Sequence, residues 1–429
     1  MRKNIQSYKH SIIWLCVFIL MLANGSFVSY FFSRPPLNMW RQVIWIIGLF
    51  ILFNLMQRTK SSKLRSIFDI HGAFSLFVIF SGTFTIIFRE FNLLRIGYAI
   101  WLYFAGFPFI VLPILIVYSR QSRKIFTNFL AYSGLFFAIG LILDYYLGGF
   151  FTLTFNEMYR ARYDVDNSDS EFYRYCFTAE APTTFSVLYN LQMLCFVWKL
   201  HTSNSSSKTI LYLFSITLFI IGAWFTGSRQ LLIILVITLV IALSYELFFI
   251  RGKKKNVVLL LLFLAILAPF TQDFINKDDV YRERFEINTI REDTRAQKWE
   301  RGLIETILDP KVLLLGNGVG YTQNQKALNS EEYGSHYENS FFARISDIGI
   351  IGFLLMIYPA FYVLVKFSKK KFADVMLAAL MLSYLIICFV SPNGSSPTTQ
   401  TAVYLGLGLF ICRRYFFVET KKRKNIVNK

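Results

Sequence analysis

Residues 209–250 read TILYLFSITLFIIGAWFTGSRQLLIILVITLVIALSYELFFI, and this stretch decides the fold class. Two apolar runs, 209–226 and 230–250, flank a short turn that holds Arg229. Each run, as a helix, is long enough to cross the roughly 30 Å of hydrocarbon in a bilayer. The stretch therefore predicts two membrane-spanning helices joined by a tight turn.

The composition of the whole chain agrees with this prediction. Of its 429 residues, 55% are hydrophobic and only 17% are charged, whereas soluble proteins carry about 25% charged residues. This balance excludes an ordinary soluble fold and a disordered chain. We predict an all-α integral membrane protein, a single polytopic domain over 1–429 with about 12 transmembrane helices. The apolar runs are 11–32, 40–56, 67–88, 96–118, 125–147, 178–198, 209–226, 230–250, 256–271, 345–366, 372–390 and 399–417.

The positions of the basic residues predict the orientation of these spans. The formal net charge of +19 is compatible with nucleic-acid binding, but Lys and Arg lie mostly in short clusters between apolar runs. With both termini in the cytoplasm, 27 of the 45 basic residues fall in cytoplasmic segments and five in the short outer loops. Such an excess is typical of cytoplasmic loops. We therefore expect membrane lipid, and no nucleic acid, as a partner.

Two long loops fall on the outer side, at 148–177 and 272–344. In a chain with otherwise short loops, these are the natural places for function. The second loop is expected to contain short amphipathic helices, the clearest over 295–308, followed by a tight turn at Gly316-Asn317-Gly318-Val319-Gly320. The apolar residues at helical spacing in 295–308 are Ala296, Trp299, Leu303 and Ile307.

The segment just before the tenth run combines several residues that could perform chemistry. Tyr337, Glu338 and Asn339 follow His336 directly at the predicted outer boundary of the membrane. Histidine titrates near neutral pH, so His336 could remove a proton from an acceptor hydroxyl. Alternatively, His336 only hydrogen-bonds a neighbouring loop.

Arginines supply the candidate anion sites. Arg229 lies in an outer turn beside hydrocarbon, where its planar guanidinium suits a diphosphate; the alternative is an anchor that reaches the interface. Arg295 begins the predicted helix over 295–308, whose backbone donors also favour anions, and shares one side of it with Trp299. Arg291 is a further candidate in the same charged stretch, most of which is expected to be solvated.

The first long loop and the cysteines offer less. Arg174 and Glu180, at the entry to the sixth run, are candidate site residues, or else a local ion pair. The acids at 164–171 lack the glycine and glutamate of a calcium-binding EF-hand. The five cysteines have no metal-ligand spacing, and no nucleotide-binding or nucleophile motif is present.

The order of features from Arg229 to Ile357 resembles the bacterial O-antigen ligase and repeat-unit (Wzy-type) polymerase superfamily. The matching segments, in order, are Gly227-Ser228-Arg229, Arg295 with Trp299, Gly316-x-Gly318-x-Gly320, His336-x-x-Asn339-Ser340 and Gly349-Ile350-Ile351-Gly352. From Arg229 to Ile357 the resemblance covers about a third of the chain by motif, and by topology it covers nearly all of it. One departure is that ligases often have Asn directly after His, whereas Tyr337 and Glu338 intervene here.

The resemblance implies a glycosyltransferase in the bacterial cytoplasmic (inner) membrane, with its active site on the outer face. Its substrate would be an undecaprenyl-diphosphate-linked glycan, used without a cofactor, nucleotide sugar or metal. Arg229 and Arg295 would stabilise the diphosphate, while His336, helped by Glu338, would activate the attacking hydroxyl. The remaining candidates, Arg291, Trp299, Arg174, Glu180, Tyr337 and Asn339, would bind substrate.

Three functions remain open at this point. The intervening residues after His336 favour a polymerase of O-antigen, capsule or exopolysaccharide repeat units, with a flippase and a chain-length regulator as pathway partners. The alternatives are a ligase acting on lipid A-core or protein, and a transporter or flippase of lipid-linked sugar. A transporter would place charged residues near mid-membrane, where these runs have few.

Overall fold

The computed structural model describes most of the chain between residues 24 and 417. The described ranges are 24–32, 39–58, 62–88, 93–117, 119–157, 175–179, 181–203, 205–249, 295–322, 339–368, 371–391, 394 and 396–417, together with Cys16, Val17, Ile19 and Met21. Within these ranges every regular element is helical. The predicted all-α class is therefore confirmed for the described residues.

Sixteen α-helices are defined in the described ranges. They are α1 Gly25–Phe31, α2 Trp40–Arg58, α3 Ser62–Phe88, α4 Leu93–Phe104, α5 Val111–Ile116, α6 Arg120–Tyr146, α7 Phe150–Phe155, α8 Ser186–Thr202, α9 Ser206–Phe225, α10 Arg229–Phe249, α11 Arg295–Gly302, α12 Pro310–Leu315, α13 Ser340–Lys366, α14 Phe372–Val390, α15 Pro397–Ile411 and α16 Arg413–Phe416.

Six helical segments of the described chain are long and apolar enough to cross a membrane. They are Ile96–Ile116, Arg120–Tyr146, Ser206–Phe225, Arg229–Phe248, Ser340–Lys366 and Phe372–Val390. Each coincides with a predicted run, and shorter apolar helices at Trp40–Ile51 and Asp69–Phe84 match two more. The predicted run 256–271 lies outside the described residues. The protein is therefore a helical membrane protein.

The helix of the sixth predicted run begins later than expected, at Ser186 instead of residue 178. Residues before it form buried turns in which Asp144 accepts a hydrogen bond from the backbone N–H of Phe177 (3.0 Å). Pro182 lies just upstream of the helix and has no N–H to donate to a helical bond. The predicted run is longer than the helix because these turns also contain apolar side chains.

The segment Ile96–Ile116 is a broken helix in the interior. A 3₁₀ turn, Phe107–Ile110, separates α4 from α5 and contains Pro108. The indole N–H of Trp45 donates to the carbonyl of Phe104 (2.8 Å), which satisfies a backbone acceptor beside the break. A backbone acceptor exposed by the break is thus satisfied inside the protein.

Helix α10 runs antiparallel to α14. Thr238 and Ser383 share a hydrogen bond (2.9 Å) at the middle of both helices, and the rings of Tyr245 and Phe372 lie 5.7 Å apart at one end. Arg229, at the start of α10, therefore lies at the end of the bundle where α14 finishes. We call this the Arg229 end.

The opposite end of the bundle carries most of the basic residues of its helices. His201 at the end of α8 stacks on Phe372 at the start of α14 (4.0 Å), and Phe417 contacts Trp198. Among the described residues of α6, α8–α10 and α13–α16 and their short connections, nine Lys and Arg lie at this end. We call it the basic end; its basic residues are Arg120, Arg123, Lys124, Lys199, Lys208, Lys366, Lys371, Arg413 and Arg414.

Candidate functional site at the Arg229 end

Helix α13 is interrupted close to its start. Gly349 has φ 67° and ψ 176°, so Ser340–Lys366 consists of two helical pieces separated at this residue. A Cβ atom on Gly349 would lie 2.3 Å from the carbonyl oxygen of Leu314 in α12. Only glycine combines a positive φ with so close a backbone approach.

The glycine turn after α12 packs against this interruption. The backbone N–H of Asn317 donates to the carbonyl of Ser346 (2.6 Å), and that of Gly318 to the carbonyl of Asp347 (3.0 Å). These bonds satisfy two carbonyls that the break in α13 leaves without helical partners. The structure thus joins two segments that the sequence presented separately, Gly316–Gly320 and Gly349–Gly352.

We call the contact of α12 and its glycine turn with α13 the crossing. A buried charged cluster lies beside it. Arg344 donates to Asp347 (3.0 Å) and to the hydroxyl of Tyr103 (3.0 Å), and Tyr103 donates to Asp347 (3.1 Å). Thr322 adds bonds from its backbone N–H and its hydroxyl to the other oxygen of Asp347, both 2.9 Å. Every oxygen of the carboxylate is therefore paired, as a buried charge requires.

The predicted amphipathic helix is present, with one difference in form. It comprises α11 and a π-helical turn, Leu303–Ile307. Gly302 packs on Phe342 of α13, since a Cβ atom there would lie 2.7 Å from its ring. Asp309 caps α12, and Pro310 is its first residue, so this pair ends one helix by starting another.

Much of the exposed surface of this segment is apolar. Several large side chains are exposed: Leu303, Ile304, Leu308, Leu314 and Leu315. Thr306, on the opposite side of the π-helical turn, is completely buried. In a membrane protein such a surface can lie in lipid, as expected for a helix on the membrane surface.

The start of α13 is fixed by its cap. The side-chain oxygen of Asn339 accepts from the N–H of Phe342 (2.8 Å). Ser340 donates from its N–H and its hydroxyl to the carbonyl of Ser391, just after α14, at 2.8 and 2.9 Å. The start of α13 and the end of α14 are thus held together at the Arg229 end. The carbonyl oxygen of the Asn339 side chain has this structural use; its substrate-binding role remains a prediction.

Arg229 is the first residue of α10 and is half-buried. The turn before it is compact: Gly227 has φ 60°, and the hydroxyl of Ser228 accepts from the N–H of Leu231 (3.4 Å). Gln230, the next residue, has a buried side-chain nitrogen without a hydrogen-bond acceptor among the described residues. The turn therefore places a guanidinium and an amide donor at the same helix start.

Trp299 is half-buried on α11, and its indole N–H is buried without an acceptor in the described part of the chain. A buried donor without an acceptor is costly in a finished fold. Arg295 begins α11, as predicted, but its side chain lies outside what the structure describes.

Six predicted site residues lie outside the described residues. They are His336, Tyr337, Glu338, Arg291, Arg174 and Glu180. In the described ranges, no group of three or more His, Cys, Asp or Glu side chains could hold a metal ion.

Three residues of the charged cluster were missed by the sequence reasoning: Tyr103, Arg344 and Asp347. The signal for two of them was an Arg and an Asp three residues apart at the start of an apolar run, a spacing that allows pairing within one helix. The predicted run begins at 345, whereas α13 begins at Ser340. The prediction therefore assigns Arg344 to the long loop over 272–344. Nothing in the sequence indicated Tyr103.

No protein-family model, curated protein or solved structure matches the chain.

Proposed function

We propose that the protein polymerises undecaprenyl-diphosphate-linked oligosaccharide repeat units at the outer face of the bacterial cytoplasmic membrane. The observation that carries the proposal is the place of Arg229. Arg229 begins a helix at the end of the bundle opposite the basic residues. The start of α13 lies at the same end, because Ser340 bonds to Ser391 just after α14. The segment that contains His336 directly precedes α13 in sequence.

The orientation follows from the charge difference between the ends. Nine basic residues of the bundle helices and their connections lie at the basic end, whereas the same helices have Arg229 and Arg344 at the other. By the positive-inside rule the basic end faces the cytoplasm. We extend this to twelve spans, cytoplasmic termini and an outer loop over 272–344.

The Arg229 end favours an anionic head group. Helices α8, α10, α13 and α15 all begin there, as shown by the bonds of Ser396 to Thr184 (3.2 Å) and of Ser340 to Ser391. Helix starts carry partial positive charge and backbone donors. Together with Arg229 and the amide of Gln230, they would bind the diphosphate of a lipid carrier at the membrane boundary.

The proposed reaction transfers a glycan between two lipid-linked units. The hydroxyl of the acceptor sugar attacks the anomeric carbon of the donor glycan, and the bond from that carbon to the diphosphate breaks. Arg229 and Arg295 stabilise the charge that develops on the leaving diphosphate. His336, with Glu338 beside it in sequence, takes the proton from the hydroxyl. Trp299 donates its indole N–H to the substrate.

The buried acids support an enzyme over a transporter. The four in the described ranges are Asp144, Glu246, Asp347 and Asp374. Each lies within about two turns of a helix end, and each is paired with a cation, histidine or backbone N–H groups. A transporter would instead use charged residues near the bilayer midplane.

Gene deletion with complementation tests the proposal. A deletion strain should carry surface glycan of a single repeat unit, and the wild-type gene should restore long chains. Arg229→Ala and His336→Ala should fail to restore them, while Arg414→Ala, an exposed control at the basic end, should succeed. Accumulation of long carrier-bound chains would indicate a ligase, and trapping of single units inside would indicate a flippase; either result would contradict the proposal.

A further inference from the structure

A cavity of about 560 Å³ lies at the basic end, between α6, α8 and α9 and beside Phe417. Three lysines line it, Lys124, Lys199 and Lys208, one from each helix. No Asp or Glu is among the described residues that line it. The described lining of the cavity thus gathers three positive charges and no carboxylate.

Lys199 has neutral partners within this cavity. Its ammonium donates to the amide oxygen of Asn128 and lies 5.5 Å from the ring of Tyr132 and 6.0 Å from that of Tyr212. Lys124 and Lys208 line the same cavity. Like charges that share one cavity raise each other's energy, and a bound anion would lower it.

One further lining group suits a phosphate. Ser205 contributes a hydroxyl to the wall, whereas the hydroxyls of Thr127 and Thr202 donate to carbonyls of their own helices. Ser205 is also the residue before α9, and its side chain makes no capping hydrogen bond. The first N–H groups of α9 therefore have no side-chain acceptor from the cap, at a helix start that borders the cavity, which favours an anion.

Lipid-facing surface borders the cavity on two sides. Ile125, next to Lys124, is 55% exposed, and Ile210, two residues after Lys208, is 64% exposed. Leu211 and Phe214 continue the exposed apolar face along α9. A molecule whose phosphate fills the cavity could therefore lay acyl chains along α6 and α9, which a soluble phosphate cannot do.

We propose that this cavity, lined by Lys124, Lys199 and Lys208, is a binding site for the phosphate head group of an anionic phospholipid from the leaflet at the basic end. Basic pockets between membrane helices bind such head groups. The site is separate from the Arg229 end, at the opposite end of the same helices. A head group bound in the cavity would hold α6, α8 and α9 together where these helices meet the membrane interface.

Lipid binding to the purified full chain tests the proposal. The protein in phosphatidylcholine nanodiscs is compared with protein in nanodiscs that contain 20% phosphatidylglycerol, and bound phosphatidylglycerol is counted by native mass spectrometry. Lys124→Gln with Lys208→Gln removes two exposed charges of the cavity. The control, Lys366→Gln with Lys371→Gln, removes two exposed charges from the same end but outside the cavity.

The cavity variant should bind phosphatidylglycerol about 25-fold more weakly, because two of the three cations that would face its phosphate are lost, each contributing roughly fivefold. The control should bind it like the wild type. Equal weakening in both pairs would show only a general surface charge and would overturn the proposal. Inorganic phosphate that fully displaces phosphatidylglycerol and gives the same thermal stabilisation would contradict the lipid as occupant.

Discussion

At the Arg229 end the charged pair Arg344 and Asp347 lies inside the protein, whereas at the basic end Lys124, Lys208 and Lys366 lie exposed. The exposed lysines set the orientation of the spans by their number and by the side of the membrane on which they lie. For this they need no partner side chains. Arg344 and Asp347 lose their hydration on folding, so that partners from three parts of the chain must compensate. The exposed lysines of the basic end direct topology, whereas the buried pair at the Arg229 end shapes a local structure.

The largest expected effect is at the crossing of α12 and α13. Gly349→Ala forces a Cβ atom against the Leu314 carbonyl at a positive φ. Backbone strain and overpacking together should cost about 5 kcal/mol or more in the free energy of unfolding. Thermal unfolding in detergent measures it. Gly72→Ala is the control, because a Cβ atom there meets nothing within 4 Å. Equal melting temperatures for the two variants would show that the crossing is not tightly packed.

The buried pair should come next. Arg344→Leu leaves the carboxylate of Asp347 without its cation, at an expected cost of about 3–5 kcal/mol. The double variant with Asp347→Leu should lose clearly less than the sum of the single losses, because the uncompensated charge is removed too. Unfolding of all four proteins gives the coupling energy. Additive losses would mean that the pair contributes nothing as a pair.

Removing the carboxylate of a buried ion pair at the basic end should cost less free energy of unfolding. Asp374 pairs with Arg413 at 2.6 Å, but the Arg413 side chain is 22% exposed, so water can partly replace its partner. Asp374→Asn should therefore cost about 1–2 kcal/mol, less than Asp347→Asn in the same assay. An equal or larger loss at Asp374 would contradict the contrast between the ends.

The smallest effect is expected for exposed basic residues. Arg414→Gln should change the free energy of unfolding by no more than about 0.5 kcal/mol, because surface substitutions seldom do more. Instead, it should weaken the orientation signal. Unfolding of this variant in detergent measures the first effect, and a loss similar to that of Asp374→Asn would show that exposure does not distinguish these charges.

The sequence predicts the helices well because apolar length and charge placement are local properties. The apolar run 230–250, which the structure shows as α10, and the helix over 295–308 follow from such patterns. The glycines at 316–320 predicted a turn, but their contact with residues 346–349 depends on packing between separate segments. The bond between Tyr103 and Asp347 joins residues 244 positions apart, and no local pattern encodes it.

The central claim is that chemistry takes place at the Arg229 end. Its most direct test is polymerisation of a purified undecaprenyl-diphosphate-linked repeat unit by the purified protein, with Arg229→Ala compared with Arg414→Ala. We predict that Arg229→Ala lowers the polymerisation rate by about 100-fold or more, because a preorganised cation for the leaving group is lost. Its melting temperature should equal that of the wild type. Arg414→Ala should keep the wild-type rate. Wild-type polymerisation by folded Arg229→Ala would contradict the account.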